Sequence, residues 1–294
     1  MLAALLLGAL LPVRLAAQEL SGITPITIGE ELELHSAVLG QPRRLAIYLP
    51  AEYRQNEEAY PVLYVIDGGL EQDFLHVAGT TMLNALWGRS GSVIMVGIET
   101  VDRPRELTGS TSDAALLAEY PTAGHSAEFR RFVREEVIPA MEARYRTNGQ
   151  RGVIGESLAG LFIVESALEE PELFQRHAAI SPSLWWDMQA LAHRAEALLA
   201  RRDQVPALYL TIANEGAEMQ AGYDRLVEAL SGMEPTGARW CSVPRPAEFH
   251  STVYHTASPQ ALQFLFPLEE ASTIEGFQLP CGGGAGDEAA VGGD

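Results

Sequence analysis

Two short segments constrain this chain most: P-V-L-Y-V-I at 61–66 and S-V-I-M-V-G-I at 92–98, neither of which contains a charged residue. A continuous apolar strand is stable only where both faces of its sheet are covered, and that is the setting of a parallel sheet between helical layers. The rest of the chain alternates to match. Period-two patterns predict strands at 31–38 and 43–49, joined through a turn at 39–42 into an antiparallel pair. A helix is predicted over 126–144, where Phe129, Phe132, Val133, Val137, Ile138 and Met141 recur at helical spacing. A short strand at 152–155, a helix at 158–169 and a strand at 178–180 follow. Next come a helix at 189–201, a strand at 207–213, a helix at 219–230, a strand at 240–243 and a helix at 259–266. No repeat or Gly/Ser linker divides this series, so one α/β domain over 25–270 is expected.

The chain carries 39 acidic against 20 basic residues, a formal charge of -19. Such a chain is repelled by nucleic acid and by anionic membranes. Every basic residue is arginine, which excludes Schiff-base, P-loop and Ser-Lys chemistry. Two cysteines, Cys241 and Cys281, allow one disulfide at most, and the sequence leaves open whether they pair. The apolar run at 1–13, followed by Ala16 and Ala17, is expected to be a secretory leader occupying 1–17, which places the protein in the periplasm or outside the cell. It is too short to span a bilayer comfortably, so no stable membrane insertion is expected. The glycine-rich acidic stretch at 282–294 is expected to be a disordered tail.

The strongest local motif is G-E-S-L-A at 155–159. In a G-x-S-x-G nucleophile elbow the serine stands on a sharp strand-to-helix turn in strained backbone, so the residues two places either side must be tiny. Gly155 and Ala159 satisfy that demand, an apolar strand precedes them and an apolar helix follows. Ser157 is therefore the candidate nucleophile.

A serine needs a base, and the base a carboxylate, in the order Ser, Asp/Glu, His for such a sheet. His250, in the loop P-A-E-F-H-S-T-V after the last predicted strand, is preferred to His255. Glu215 follows the strand at 207–213 and is the preferred acid; Glu218 and Asp187 are the alternatives. The oxyanion would take the backbone N–H of Leu158 and a second from the Asp67-Gly68-Gly69 turn, with Gly69 as the candidate.

Together these segments resemble the Putative esterase family of α/β-hydrolases, which includes siderophore esterases, S-formylglutathione hydrolase and mycolyltransferases. The resemblance spans 33–268 and rests on S-A-V-L-G-Q-P-R-R-L-A-I-Y-L-P from Ser36, Y-P-V-L-Y-V-I-D-G-G from Tyr60 and V-G-I-E-T-V-D-R-P-R-E-L-T from Val96. It continues in G-E-S-L-A-G-L-F from Gly155, P-E-L-F from Pro171, S-P-S-L-W-W from Ser181 and F-H-S-T-V from Phe249. It implies a three-layer α/β-hydrolase fold with a mostly parallel central sheet, Ser157 as nucleophile and His250 as base. Two departures stand out: Ala159 where the family has glycine, and A-N-E-G at 213–216 where it has a G-x-E-like turn. The second leaves Glu215 and Glu218 both open.

The resemblance implies a serine esterase that acts on a small-molecule carboxylic ester through an acyl-enzyme. Ferric-siderophore esters are an alternative substrate. An acyltransferase, or an inactive carbohydrate- or protein-binding relative, is an alternative function. Phe74, Trp185 and Trp186 are candidate pocket walls, and Arg103 and Arg105 are the candidate cations for an anionic ligand. No H-E-x-x-H, G-x-G-x-x-G or Walker pattern is present, so neither a metal nor a cofactor is expected. Oligomeric state is left open.

Overall fold

The computed structural model describes residues 22–201, 206–233, 240–268, 274, 276, 278, 279 and 281. The expected leader at 1–17 and tail at 282–294 lie outside the described residues.

Among the described residues, eight strands form one sheet: β1 (Glu30–Ser36), β2 (Gln41–Tyr48), β3 (Tyr60–Ile66), β4 (Ile94–Ile98), β5 (Thr147–Glu156), β6 (Arg176–Ile180), β7 (Ala207–Thr211) and β8 (Trp240–Ser242). Their spatial order is β1-β2-β4-β3-β5-β6-β7-β8. The β1–β2 hairpin and the β2–β4 pair are antiparallel. From β4 through β3 to β8 every pairing is parallel. The helices are α1 (Phe74–Leu86), α2 (Arg103–Leu107), α3 (Ala114–Glu119), α4 (Ser126–Phe132), α5 (Ile138–Arg144), α6 (Leu158–Glu169), α7 (Trp186–Leu199), α8 (Ala217–Ser231) and α9 (His250–Leu265). Among the described residues no helix is long and apolar enough to cross a membrane.

The apolar strands are unbroken because they feed two cores. Val62, Tyr64 and Ile66 of β3 pack with α4 to α8, whereas Leu63 and Val65 pack with α1 and α9. Successive side chains on a strand point to opposite faces, so a strand covered on both sides must be apolar at every position. The expected three-layer α/β-hydrolase architecture is the one observed.

Helices α1, α2 and α3 have no counterpart in the sequence reading, and three of the predicted stretches take a different form. The predicted helix at 126–144 is α4 and α5 joined by a π-helical turn, Val133–Val137, which shifts the apolar stripe by about one residue. The last helix begins at His250, not at 259, and holds Pro259 in its interior. Residues 187–189 adopt left-handed backbone, with φ of 48°, 50° and 65°, and kink the first turn of α7. Cys241 of the edge strand β8 is disulfide-bonded to Cys281, 40 residues on.

Arginine forks tie the helices that support the sheet's upper edge. Arg43 of β2 pairs with Glu106 of α2, both almost fully buried. Arg130 of α4 reaches Glu165 at 2.5 Å, Glu169 at 3.0 Å and Glu170 at 3.1 Å, gripping α6 from behind. Planar, multidentate pairing of this kind is the use for which arginine is better suited than lysine.

Candidate active site

Ser157 occupies the turn between β5 and α6 with φ 61° and ψ −119°. This strained conformation is held on both sides: Ser157 N–H donates to Ile180 O at 3.0 Å, and Ser183 N–H donates to Ser157 O at 3.0 Å. Gly155 is dictated by the same turn. A Cβ at that position would lie 2.7 Å from Ala159 Cβ. The bend folds the first turn of α6 back against the end of β5, and that is why the elbow admits only tiny residues. Leu158 heads α6, so its N–H has no carbonyl to bond within the helix and points with the positive helix end toward the serine.

The β7–β8 ladder positions the candidate acid and the candidate base. Pairing continues past the end of β8, with Val243 N–H on Leu210 O and Arg245 N–H on Ile212 O, each at 2.8 Å. Asn214 N–H then donates to Glu248 O at 2.9 Å. These bonds bring the turn after β7 against the start of α9, and His250 Nδ1 meets Glu215 Oε1 at 2.8 Å. Glu215 is 6% exposed and His250 46% exposed, so the carboxylate is enclosed while the imidazole faces solvent. His250 sits on the first residue of a helix and not in a loop, its entry fixed by Phe249 N–H bonding to Thr252 Oγ1 at 3.0 Å.

The remaining candidates separate from this group. His255, one turn and a half along α9, meets His76 edge to face with ring centroids 4.4 Å apart. Glu218 is an exposed first-turn residue of α8. Asp187 accepts from Thr111 Oγ1 at 2.5 Å. Among the described residues, Ser157 Oγ has Ser183 Oγ as its neighbour at 3.3 Å and makes no hydrogen bond to His250. Such contacts are commonly longer without a ligand and close in the substrate complex. Gly69, the candidate second oxyanion donor, spends its N–H on Gln72 Oε1 at 3.0 Å. Gly68 has a packing reason of its own, because a Cβ there would lie 2.4 Å from Gly97 Cα. Phe74 and Trp186 are core residues, and Trp185 is half-buried against Trp186. Neither arginine is a spare cation: Arg103 pairs with Asp67 at 2.8 Å and Arg105 with Glu128 at 2.9 Å.

Sequence reasoning overlooked two residues. Ser183, beside Ser157, is signalled only by its place in the S-P-S-L-W-W segment. Glu156, the variable residue of the elbow, is half-buried, and among the described residues one of its oxygens, itself buried, has no hydrogen-bond partner. Burial, reinforced by Asp73, Glu215 and Asp67, pushes its carboxyl up to about 8 despite the opposing charge of Arg103. Asp73 is pushed up to about 6 by burial and by Asp67. Carboxylates thus crowd the sheet edge behind the His250–Glu215 pair.

A family model described as Putative esterase matches residues 36–236, with the elbow and the acid turn inside the match. The chain belongs to that family. The Ferri-bacillibactin esterase BesA of Bacillus subtilis (strain 168) is 26% identical over 232 residues, covering 70% of this chain and 78% of that protein. Among solved structures, an IroE-like serine hydrolase from Shewanella oneidensis superposes with a TM-score of 0.72 at 26% identity, covering 81% of this chain and 80% of the other. The BES protein from Bacillus cereus gives a TM-score of 0.74 at 22% identity, with 86% and 100% covered, a likeness of fold. As a family member the chain is an α/β-hydrolase-fold esterase, an enzyme whose substrate is a small-molecule ester.

Proposed function

We propose that this chain hydrolyses carboxylic esters through an acyl-enzyme formed on Ser157, with His250 as base and Glu215 as the orienting acid. The 2.8 Å bond between His250 Nδ1 and Glu215 Oε1 carries this reading, because it leaves Nε2 as the nitrogen available to the serine. Ser157 Oγ attacks the ester carbonyl and passes its proton to Nε2, while enclosed Glu215 stabilises the imidazolium. Negative charge gathers on the carbonyl oxygen, where the Leu158 N–H receives it. Gly69 is the second donor once Gln72 releases its amide. The tetrahedral adduct collapses, the departing alcohol takes the proton from His250, and water repeats the sequence to free the acid.

A neutral ester is the primary substrate reading, since Arg103 and Arg105 are both neutralised by carboxylates. A ferric-siderophore ester is the second reading, favoured by relatives named as a ferri-bacillibactin esterase and a siderophore triacetylfusarinine C esterase. We further propose one catalytic domain over 25–270 and export from the cytoplasm. The apolar segment at 1–13 supports export, as does the Cys241–Cys281 bridge, a bond that persists in oxidising compartments.

The test is a panel of chromogenic esters of rising acyl length, a feruloyl ester and a ferric catecholate trilactone, assayed with wild type and Ser157→Ala. Wild type is expected to turn over at least one class, and Ser157→Ala to lose all but about a thousandth of that rate. A variant that keeps more than about a tenth removes Ser157 from the mechanism.

A further inference from the structure

The loop that follows β6 is clamped on three sides. Ser181 N–H donates to Thr211 O at 2.9 Å and Ser181 Oγ accepts from Ala213 N–H at 3.0 Å, which fastens the loop to β7. A Cβ on Gly160 of α6 would lie 3.0 Å from Pro182 Cα, and one on Gly222 of α8 would lie 2.7 Å from Leu184 O. Both helices approach the loop this closely because each presents a glycine to it. Ser183 sits at the centre of the clamp, 2% exposed, with its N–H on Ser157 O at 3.0 Å.

Its hydroxyl differs from those of other buried serines. Ser166 and Ser258 each return their O–H to the carbonyl one helical turn back, 2.7 Å from Phe162 O and 2.6 Å from Tyr254 O. Ser183 lies between β6 and α7, outside any helix, and has no such carbonyl. Among the described residues its Oγ has one hydrogen-bond partner, Ser157 Oγ at 3.3 Å. A polar group this buried costs stability unless it is partnered, so a hydroxyl that serves no backbone group has a reason outside packing.

We propose that Ser183 is a further residue of the catalytic group: its O–H donates to Ser157 Oγ and steadies that oxygen while it carries negative charge. The inference rests on Ser157 as nucleophile and His250 as base. A hydroxyl has one proton to give. In the working complex that of Ser157 goes to His250 Nε2, so the hydrogen between the two serines is that of Ser183. At 3.3 Å the contact is longer than a normal O–H···O bond and contributes little at rest. It strengthens as charge develops on Oγ, because hydrogen bonds to an ionised oxygen are shorter and stronger. An interaction weak in the ground state and strong in the transition state lowers the barrier without tightening substrate binding. Charge develops twice. As Oγ bonds to the ester carbon its proton passes to Nε2, and as water displaces Oγ from the acyl-enzyme the departing oxygen takes a proton back from Nε2. Ser183 keeps its own proton in both steps.

The test compares wild type, Ser183→Ala and Ser183→Cys in two assays: steady-state hydrolysis of the best chromogenic ester, and the rate at which a fluorophosphonate labels Ser157. Alanine removes the hydroxyl and keeps the backbone N–H on Ser157 O, whereas cysteine fills the space but donates weakly. Both variants are expected to lose at least about threefold in kcat and in labelling rate, with KM unchanged. A smaller loss in Ser183→Ala overturns the proposal. So does a loss confined to Ser183→Ala, which assigns the hydroxyl to packing, and so does a rise in KM at constant kcat, which makes Ser183 a substrate contact. Thermal melts establish that the variants fold, and should one fail to, the other decides by the same threshold. A wild type that neither turns over any ester nor takes the label refutes the esterase reading and this proposal together. A reactive wild type matched by both variants refutes the role of Ser183 alone.

Discussion

Replacing Glu215 by Gln isolates the charge of the acid from its shape. Glutamine is isosteric and can still accept a hydrogen bond from Nδ1, so the 2.8 Å contact survives and only the ionic character is lost. A charge-assisted hydrogen bond contributes about 1.5–3 kcal/mol, roughly twice a neutral one. The half of it that is lost with the charge, about 0.8–1.5 kcal/mol, corresponds to about 4- to 13-fold in kcat when applied wholly to the transition state. The imidazole is 46% exposed, so water screens part of the interaction and the lower part of that range is expected, about 4- to 8-fold. KM should change little, because the imidazolium exists only as the serine attacks. Glu218 is exposed on the first turn of α8, and Glu218→Gln should lower kcat less than about threefold. The assay is steady-state hydrolysis of the best chromogenic ester at the pH optimum, both variants side by side. A larger loss in Glu218→Gln would transfer the role to Glu218. No loss in either would point to Asp187 or to a Ser-His pair working alone.

The base is separable in the same assay: His250→Ala should abolish turnover, whereas His255→Ala, at a ring that meets His76 edge to face, should keep at least about half of it. Glu156 gives a pH-dependent prediction. Folding raises its carboxyl from 4.5 to about 8, so its contribution to stability is complete below about 4.5 and is lost as pH climbs through 8. Glu156→Gln fixes the neutral form, and thermal melts should show it more stable than wild type by at least about 3 °C at pH 9 and level with it at pH 4. An equal gain at both pH values would mean that the effect is packing and not ionisation.

Much of this molecule was written in its sequence, for reasons that can be traced to single residues. Strands β3 and β4 were legible because each is covered on two sides and so is apolar at every position. The elbow and α6 were legible because a steric demand at Gly155 and Ala159 leaves a mark in residue type. Helix α1 went unread because pattern recognition looks for a helix whose exposed face is polar, and on this one the exposed Leu75, Met82 and Leu86 are as apolar as the residues they back. The start of α9 was misplaced because Pro259 reads as a first-turn proline, whereas the carbonyl that its missing N–H would have bonded belongs to exposed His255 and is free to meet water. Pro259's own carbonyl receives Asn84 from α1, a contact across 175 residues that no local pattern reveals. Glu156, Ser183 and the Gln72 side chain on the Gly69 amide belong to the same class. Glu156 and Ser183 owe their settings to elements distant in the chain, and Gln72 is fixed over Gly69 through Thr100, 28 residues on; burial is a property of the assembled sheet edge and not of any segment within it.

The backbone of Ser157, the proposed nucleophile, carries a consequence for how activity is acquired. Ser157 is held at φ 61° by bonds to Ile180 and Ser183, both of which come later in the chain. Strained backbone persists only where its surroundings over-determine it. A nascent chain whose synthesis has reached the elbow, but whose β6 has not yet paired with β5, has every residue of the motif and none of its geometry. The serine is then an ordinary hydroxyl, and the histidine that would deprotonate it lies some ninety residues ahead. Acylating power therefore arrives late and all at once, when the second half of the sheet docks. Unfinished or partly unfolded molecules are chemically silent, and a cell that makes this esterase is shielded from it until folding is complete.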